Sequence, residues 1–228
     1  MIEFLLLDLD DTILDFKMQE AVAIRKTLAD VGIDPTDAVC TRYSQINEAH
    51  WKRLEKGELT RQQVLHGRFG VLFEQLGVVA DPQQTAKQYE GNLSDGHYFL
   101  PGALEAVKRL SKKYKLYLAS NGTAVVQERR LASAGIAPFF KEIFISQHIG
   151  ANKPAKEFFD YCFDHIPDFD PAKAIIVGDS LSSDILGGIN AGIRTCWVNP
   201  KQKPADPHIQ PDYMIEDITQ LEALLENM

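Results

Sequence analysis

The sequence of 228 residues has few cysteines and no long hydrophobic run. Its three cysteines, Cys40, Cys162 and Cys196, are odd in number and far apart, and no Cys-x-x-Cys pair is present. This pattern argues against a zinc site and favours a reducing compartment. The first apolar segment lacks a preceding basic region and is too short for a signal peptide, and no segment is long enough to span a membrane. We therefore expect a cytoplasmic protein.

The sequence also lacks an excess of positive charge, internal repeats and low-complexity segments. Its 24 Lys and Arg residues against 32 Asp and Glu residues give a net charge of −8. A chain this acidic is not expected to bind nucleic-acid polymers or anionic membranes, and an anionic ligand would need cations gathered locally. The length allows one large core, or a core with a smaller inserted domain.

Short apolar segments alternate with amphipathic ones in the later part of the chain. The segments that predict buried strands are EFLLLD near the start, KLYLAS (115–120), EIFIS (142–146), KAIIVGD (173–179) and RTCWVN (194–199), with DYMIED and a last helix closing the chain. Strands separated by helices are typical of a parallel sheet with helices on both faces. The predicted fold class is α/β, with a Rossmann-like parallel sheet core formed by residues 1–15 and 96–228.

Residues 16–95 have a different pattern. Their apolar periodicity is helical throughout, and Gly32, Gly57 and Gly77 stand where helices are expected to end. An all-helical insertion, a cap domain, is therefore predicted between the first strand and the rest of the core. Ligands of open α/β sheets bind beyond the carboxyl ends of the strands, so an insertion that leaves the first strand is expected to stand over such a site.

Polar residues follow the carboxyl ends of four predicted strands. In chain order these are Asp8, Asp10, Asp11 and Thr12, then Ser120, Asn121, Gly122 and Thr123, then Lys153 and Pro154, and finally Asp179 and Asp184. Each group alone could be a helix cap, a turn or a solvated loop charge, and Pro154 suits a first helical position. Because parallel strands end at one edge of their sheet, four such groups together favour a site at that edge.

These residues also resemble four motifs of the haloacid dehalogenase (HAD) superfamily, in the family's order. The motifs are DLDDT, ASNG, Lys153-Pro154 and GDSLSSD, and the insertion resembles the superfamily's helical type of cap. More narrowly, LHGRF and SDILGGINAGIRTCWVN are similar to segments of the house-cleaning pyrimidine 5′-nucleotidases of bacteria. The resemblance implies a Mg²⁺-dependent phosphomonoesterase that forms an aspartyl-phosphate and prefers pyrimidine nucleoside 5′-monophosphates.

The family assigns nucleophilic attack to the first aspartate of the opening motif, here Asp8. The second, Asp10, would protonate the leaving alkoxide and then activate water. Two residues apart in an extended segment, both side chains share a face and lie roughly 6.5 Å apart, at about 3.3 Å per residue. That separation leaves room for a phosphoryl group between or beside them.

The same resemblance predicts how the phosphoryl group and a metal would be held. Ser120 and Lys153 are expected to contact phosphoryl oxygens, with Asn121 and Gly122 alongside. The expected Mg²⁺ ligands are the Asp8 carboxylate, the Asp10 backbone carbonyl, the Asp179 carboxylate and, through water, Asp184. The carboxylates of Asp8, Asp10, Asp179 and Asp184 and a phosphate monoester carry more negative charge than Mg²⁺ and Lys153 can neutralise. A protonated Asp10 and the backbone N–H groups at the helix start after Gly122 would offset part of the excess.

Residues of the insertion are harder to assign. His66 and Arg68 in LHGRF could contact a substrate, and helix-surface or buried structural roles are the alternative. Trp51 and Phe69 are predicted to lie in the cap core, because aromatics at helical spacing are usually buried. Trp197 is predicted to lie in the core of the sheet domain.

Four other functions compete with the nucleotidase. A sugar-phosphate phosphatase or a phosphomutase shares all four motifs and differs in the cap. A haloacid dehalogenase also attacks through a first-strand aspartate but needs no metal and usually lacks a second acid, so Asp10 and Asp179 speak against it. A phospho-accepting receiver has similar residues on a shorter chain without an insertion. The expected partner is a small phosphate monoester, and either a monomer or a homodimer is compatible with the sequence.

Overall fold

The structure, a computed structural model, describes all 228 residues. The chain divides into two compact units. The first is formed by Met1–Phe16 and His97–Met228, and the second by Lys17–Gly96. We call them the α/β unit and the helical unit. None of the helices in either unit is both long enough and apolar enough to cross a membrane.

The helical unit is built from four helices and contains no strand. These are α1 (Phe16–Asp30), α2 (Asp37–Glu55), α3 (Arg61–Leu76) and α4 (Pro82–Ser94). Local signals set their ends: Thr60 and Gln63 form a capping box at the start of α3, and Gly77 ends it in the left-handed conformation at φ 65°. Gly32 and Gly57 also follow helix ends with positive φ. The three predicted glycine stops are thus found.

Aromatic rings fill the centre of the helical unit. Tyr43, Phe69 and Tyr89 are fully buried, with ring centroids 5.1–5.7 Å apart. The prediction for Phe69 is confirmed. The prediction for Trp51 is wrong in part, because its ring is only half-buried and the Arg61 guanidinium lies 5.5 Å from the ring centroid. A stacked cation covers this ring where core side chains were expected.

The α/β unit contains a six-stranded sheet in the order β3-β2-β1-β4-β5-β6. The strands are β1 (Phe4–Leu7), β2 (Lys115–Ser120), β3 (Glu142–Ile145), β4 (Ala174–Gly178), β5 (Arg194–Val198) and β6 (Tyr213–Ile215). All neighbours pair in parallel. The predicted parallel α/β sheet is therefore confirmed. With β1 between β2 and β4, the carboxyl ends of these strands lie side by side.

Helices cover both faces of the sheet. They are α5 (Ala103–Leu110), α6 (Ala124–Ala134), α7 (Ser146–Ile149), α8 (Lys156–Asp164), α9 (Leu186–Ala191) and α10 (Leu221–Glu226). Strand β1 is buried on both faces: Leu5 and Leu7 join one hydrophobic cluster and Phe4 and Leu6 the other. A central parallel strand needs such a continuous apolar run. Trp197 is also buried, as predicted.

Several predicted bounds differ from the structure. Several strands are shorter than predicted by one residue at one or both ends: β3 ends at Ile145, where Ser146 opens α7, β4 covers Ala174–Gly178, and β5 ends at Val198. Pro154 does not occupy a first helical position. It lies in a turn closed by a hydrogen bond of 2.8 Å from the Ala155 N–H to the Asn152 carbonyl, and α8 begins only at Lys156.

Candidate active site

The loop after β1 turns back tightly within the segment from Asp8 to Phe16. Asp8 still belongs to the sheet, since its N–H donates to the Val177 carbonyl at 2.9 Å. Asp11 adopts the left-handed conformation at φ 57°, which Asp tolerates better than most residues. Its Oδ1 accepts from the Phe16 N–H at 3.2 Å, at the start of α1. Asp11 thus acts as a local cap, while Asp8 and Asp10 face other partners.

Lys153 lies at the centre of a buried ionic group. Its Nζ is 2.7 Å from Asp8 Oδ1 and 2.6 Å from Asp184 Oδ1, and it donates to the Ala119 carbonyl at 2.5 Å. The side chains of Lys153 and Asp184 are each 1% exposed. The three donors of the ammonium group are therefore all used, which is required of a buried charge.

Burial and charge act in opposite directions on these groups. Burial raises the pKa of Asp8 to about 7, against the attraction of Lys153. Burial alone would lower the pKa of Lys153, but the carboxylates of Asp184 and Asp8 raise it above its usual range. Lys153 is accordingly a fixed cation between two acids.

Asn121 fixes the backbone of Lys153. Its Nδ2 donates to the Lys153 carbonyl and its Oδ1 accepts from the Lys153 N–H, both at 2.9 Å. This reciprocal pair joins the end of β2 to the turn before α8. The structure therefore places the Asn121 amide as a support of Lys153, and a direct contact of Asn121 with substrate stays a prediction.

Three carboxylates form a group that could hold a cation. One oxygen each of Asp8, Asp179 and Asp184 lies within 4.8 Å of the others. Oxygen donors of this kind suit Mg²⁺ or Ca²⁺ and not a soft metal. The ends of β1 and β4 bring Asp8 and Asp179 together, and the Asp179 carbonyl accepts from the Trp197 indole N–H at 2.8 Å. The donor set thus fits the expected magnesium ion.

The turn after β4 brings Asp184 back to the strand end. The Ser180 carbonyl accepts from the N–H groups of Asp184 and Ile185 at 3.0 and 3.2 Å, which makes one wide π-helical turn over Leu181–Ile185. The Ser180 N–H in turn donates to Asp184 Oδ2 at 3.1 Å. A Cβ atom on Gly178 would lie 2.2 Å from Asp184 Cγ. Glycine at position 178 therefore makes room for this carboxylate.

Ser120 and Asp10 are joined by a residue that the sequence did not reveal. The Gln127 side chain on α6 donates from Nε2 to Asp10 Oδ2 at 2.7 Å and to Ser120 Oγ at 2.8 Å. The Gly122 N–H also donates to Ser120 Oγ, at 3.1 Å. Arg130, three residues after Gln127, donates from Nη1 to Asp10 Oδ1 at 2.5 Å. Only the fold shows that this polar pair lies on the buried side of its helix.

His66 and Arg68, the two candidate substrate contacts of the predicted cap domain, lie in the helical unit. Arg68 is 2% exposed and donates from Nη1 to Asn47 Oδ1 at 2.8 Å, and its guanidinium carbon is 4.8 Å from the Tyr89 ring centroid. These contacts support the buried structural role that the sequence left open for it. His66 is half-buried and lines a groove of α2 and α3 together with His50.

Comparison with known families and proteins adds an independent result. Residues 5–198 match the model of the haloacid dehalogenase-like hydrolases. The chain is 41% identical over 221 residues to the HAD-hydrolase YfnB of Bacillus subtilis, covering 97% of this chain and 94% of that protein. The structure of YfnB, described as bound to magnesium and as revealing interdomain movement, has a TM-score of 0.94 at 40% identity and 98% coverage of both chains.

Two further relatives carry a substrate in their names. The pyrimidine 5′-nucleotidase PynA of Streptococcus pneumoniae is 36% identical over 214 residues, covering 93% of this chain and 90% of that protein. The pyrimidine 5′-nucleotidase YjjG of Escherichia coli is 29% identical over 223 residues, covering 98% and 97%. The resemblance predicted from the four motifs is confirmed by these matches.

Proposed function

We propose a magnesium-dependent phosphomonoesterase activity for this chain, which belongs to the haloacid dehalogenase-like hydrolase family. The observation that carries the proposal is the buried Lys153 ammonium group, which Asp8 and Asp184 bind. Together with Asp179, these acids offer three carboxylate oxygens that could bind a cation. The nucleophile Asp8, the cation Lys153 and the cation site would then meet within a few ångströms. Such a group can bind, attack and neutralise a phosphoryl group at one place.

In this proposal the Asp8 carboxylate attacks phosphorus and the ester oxygen leaves. One Asp8 oxygen is hydrogen-bonded to Lys153, which fixes the carboxylate and leaves its other oxygen for attack. The product is an aspartyl-phosphate and an alcohol, and water then cleaves the acyl phosphate to regenerate Asp8. Splitting hydrolysis in this way replaces one difficult displacement by two easier steps.

Asp10 is proposed as the acid and base of the two steps. An alkoxide is a poor leaving group, so a proton delivered to the ester oxygen would lower the barrier of the first step. The same carboxyl would take a proton from the attacking water in the second step. Its side chain is 26% exposed, so it can reach solvent and a bound ligand.

Ser120, Lys153 and backbone N–H groups are proposed to hold the transferred phosphoryl oxygens, Lys153 by exchanging one of its three present hydrogen bonds for one to the phosphoryl group. Ser120 has a hydroxyl that already accepts two hydrogen bonds and therefore keeps its own proton to donate. The N–H groups near Gly122, at the start of α6, add partial positive charge.

Asp8, Asp179 and Asp184 would hold Mg²⁺, with the Asp10 carbonyl as a further oxygen. When bound, the ion would neutralise charge on the phosphoryl group and position it for attack. The relative YfnB is described as bound to magnesium, which supports this choice of ion.

The proposed substrate is a pyrimidine nucleoside 5′-monophosphate, because two relatives of nearly full length are named pyrimidine 5′-nucleotidases. The test compares kcat/KM for UMP, dUMP, dTMP, AMP, GMP and small sugar phosphates with Mg²⁺. Pyrimidine nucleotides should be hydrolysed best. Clearly faster hydrolysis of purine nucleotides would refute the base preference, and faster hydrolysis of sugar phosphates would favour the sugar-phosphatase alternative.

A cytoplasmic location and a monomeric or dimeric state complete the proposal. All three cysteines are free and buried, which fits a protein that works under reducing conditions. Size-exclusion chromatography with light scattering would measure the oligomeric state directly.

A further inference from the structure

Arg130 is a buried cation that the proposed reaction does not use directly. Its side chain is 0% exposed and is the largest of the fully buried side chains of the protein. One nitrogen, Nη1, donates both to Asp10 Oδ1 at 2.5 Å and to Gln127 Oε1 at 2.9 Å. The guanidinium carbon also lies 5.7 Å from the Phe16 ring centroid.

Stability does not explain this guanidinium. Its Nε and Nη2 are buried without a hydrogen-bond partner, which costs free energy for a charged group. Replacing a buried ion pair by well-packed apolar side chains is often neutral or stabilising. A buried Arg130–Asp10 pair is therefore not needed for stability, and the hydrogen bonds that Arg130 makes, to Asp10 and to Gln127, point to a role at Asp10.

The two α6 side chains hold both oxygens of Asp10. Arg130 binds Oδ1, and Gln127 Nε2 binds Oδ2 while its second hydrogen bond goes to Ser120 Oγ. An untethered aspartate can occupy three staggered χ1 rotamers. Here one rotamer is selected, and the shared amide fixes the Asp10 carboxyl relative to the Ser120 hydroxyl.

We propose that Arg130 and Gln127 are positioning residues, which aim the Asp10 carboxyl at the leaving and attacking oxygens of the reaction. The proposal rests on the proposed phosphatase function. Neither side chain touches substrate. Arg130 acts through Asp10, whereas Gln127 contacts both Asp10 and Ser120, so a loss of Arg130 should appear in kcat and not in substrate binding.

The experiment compares Arg130→Met with Arg129→Met. Arg129 is the adjacent arginine on α6 and is exposed, so it is a matched control for charge and for the substitution itself. With UMP and Mg²⁺, Arg130→Met should lower kcat about 100-fold, as expected for a misplaced catalytic group, with KM nearly unchanged. Its thermal midpoint should fall only modestly, because Asp10 is partly exposed and keeps its hydrogen bond from Gln127. Arg129→Met should match wild type in every measurement, and equal kcat values for both variants would overturn the proposal.

A second arm tests whether Arg130 acts through Asp10. In an Asp10→Asn background, assayed with an activated aryl phosphate, adding Arg130→Met should cause no further loss of kcat, because the group being positioned is already gone. An equal further loss in both backgrounds would show another role and would overturn the proposal. If Arg130→Met does not fold, Gln127→Leu takes its place, since it removes the tether to Asp10 Oδ2 and leaves the ion pair. It also removes the hydrogen bond to Ser120 Oγ, and the loss of that bond would appear in KM.

The two proposals fail differently. If wild type releases phosphate from no ester, the phosphatase function itself is refuted, and if Asp8→Asn retains full turnover, the mechanism through Asp8 is refuted. If wild type is active and Asp8→Asn is not, but Arg130→Met behaves like Arg129→Met, only the positioning role is refuted.

Discussion

Both units of the molecule bury charged side chains, and they do so in opposite ways. In the helical unit, Glu20 accepts from Asn47 at 2.6 Å and from Ser44 at 2.5 Å, and Arg68 donates to Asn47. These residues come from the faces of three helices. In the α/β unit, Asp8 and Asp184 meet Lys153 at the ends of strands and their turns, and each has a further carboxylate nearby.

The difference concerns the balance of charge. In the helical unit, the Glu20 carboxylate and the Arg68 guanidinium both bind the neutral amide of Asn47, so one acid and one cation share this group. The α/β unit gathers three acids around one lysine, and like charges this close repel unless a cation joins them. A buried charged group therefore indicates a binding site when its charges do not cancel within the protein.

The strongest test of this distinction is Asp8→Asn. An amide cannot act as the carboxylate nucleophile, so phosphate release should fall more than about 10³-fold while the fold is retained. Circular dichroism and thermal unfolding would verify the fold.

Asp11→Asn is the matched control in the same loop. The Asn side chain can still accept from the Phe16 N–H, so activity should stay within a few-fold of wild type. Substantial turnover by a folded, contamination-free Asp8→Asn protein would reject Asp8 as the nucleophile.

Metal removal tests the unbalanced charge directly. After treatment with a chelator the activity should vanish, and Mg²⁺ should restore it. Ca²⁺ should substitute poorly, because it prefers longer bonds and more ligands and would displace Asp8 relative to phosphorus. The measurement is phosphate release against added metal. Full activity in a metal-free preparation would contradict the mechanism and revive the dehalogenase alternative.

Of the two buried charged groups, the one in the α/β unit could be predicted from the sequence. Asp8 and Asp179 stand directly after β1 and β4, and Lys153 and Asp184 lie in the segments that follow β3 and β4, so their proximity follows from local pattern and topology. Their order also matches the family motifs. Asp11 shows the limit of the same reasoning, because its role as a local cap was one of several roles that the sequence left open.

The remaining groups could not be predicted because their burial is a tertiary property. Gln127 and Arg130 are polar residues on a helix, and such residues are usually solvated. Their spacing of three residues puts them on one face, but only the packed α6 turns that face to Asp10 and Ser120. The same holds for Arg68 in the helical unit. The sequence allowed both substrate contact and burial, and only the packed structure shows that Arg68 is buried.

A smaller effect is expected from Gly178→Ala, which leaves every charge in place. The new Cβ would lie 2.2 Å from Asp184 Cγ, so the carboxylate must move. We expect a loss of about 10- to 100-fold in apparent Mg²⁺ affinity, the size found when groups that orient metal ligands are changed. Titration of activity with Mg²⁺ measures it.

Gly91→Ala in α4 of the helical unit is the control for this substitution. A Cβ there meets nothing within 4 Å, so the change should stabilise the protein by about 0.5–1 kcal/mol through helix propensity and leave Mg²⁺ dependence unchanged. An unaltered Mg²⁺ titration for Gly178→Ala would show that Asp184 does not depend on this glycine.

The smallest effect on catalysis is expected from Arg68→Met, and it is the change that separates the two buried groups most clearly. The variant removes the hydrogen bond to Asn47 and the cation over the Tyr89 ring. We expect the free energy of unfolding to fall by about 1–3 kcal/mol, the cost of leaving the buried Asn47 amide oxygen unpaired. Because the contacts of Arg68 lie within the helical unit, kcat with a small aryl phosphate should stay near the wild-type value. Urea unfolding and steady-state kinetics on the same preparation measure both quantities. A variant of wild-type stability whose KM for UMP rises steeply would instead place Arg68 in contact with the nucleotide, and the helical unit would then hold a second functional charge.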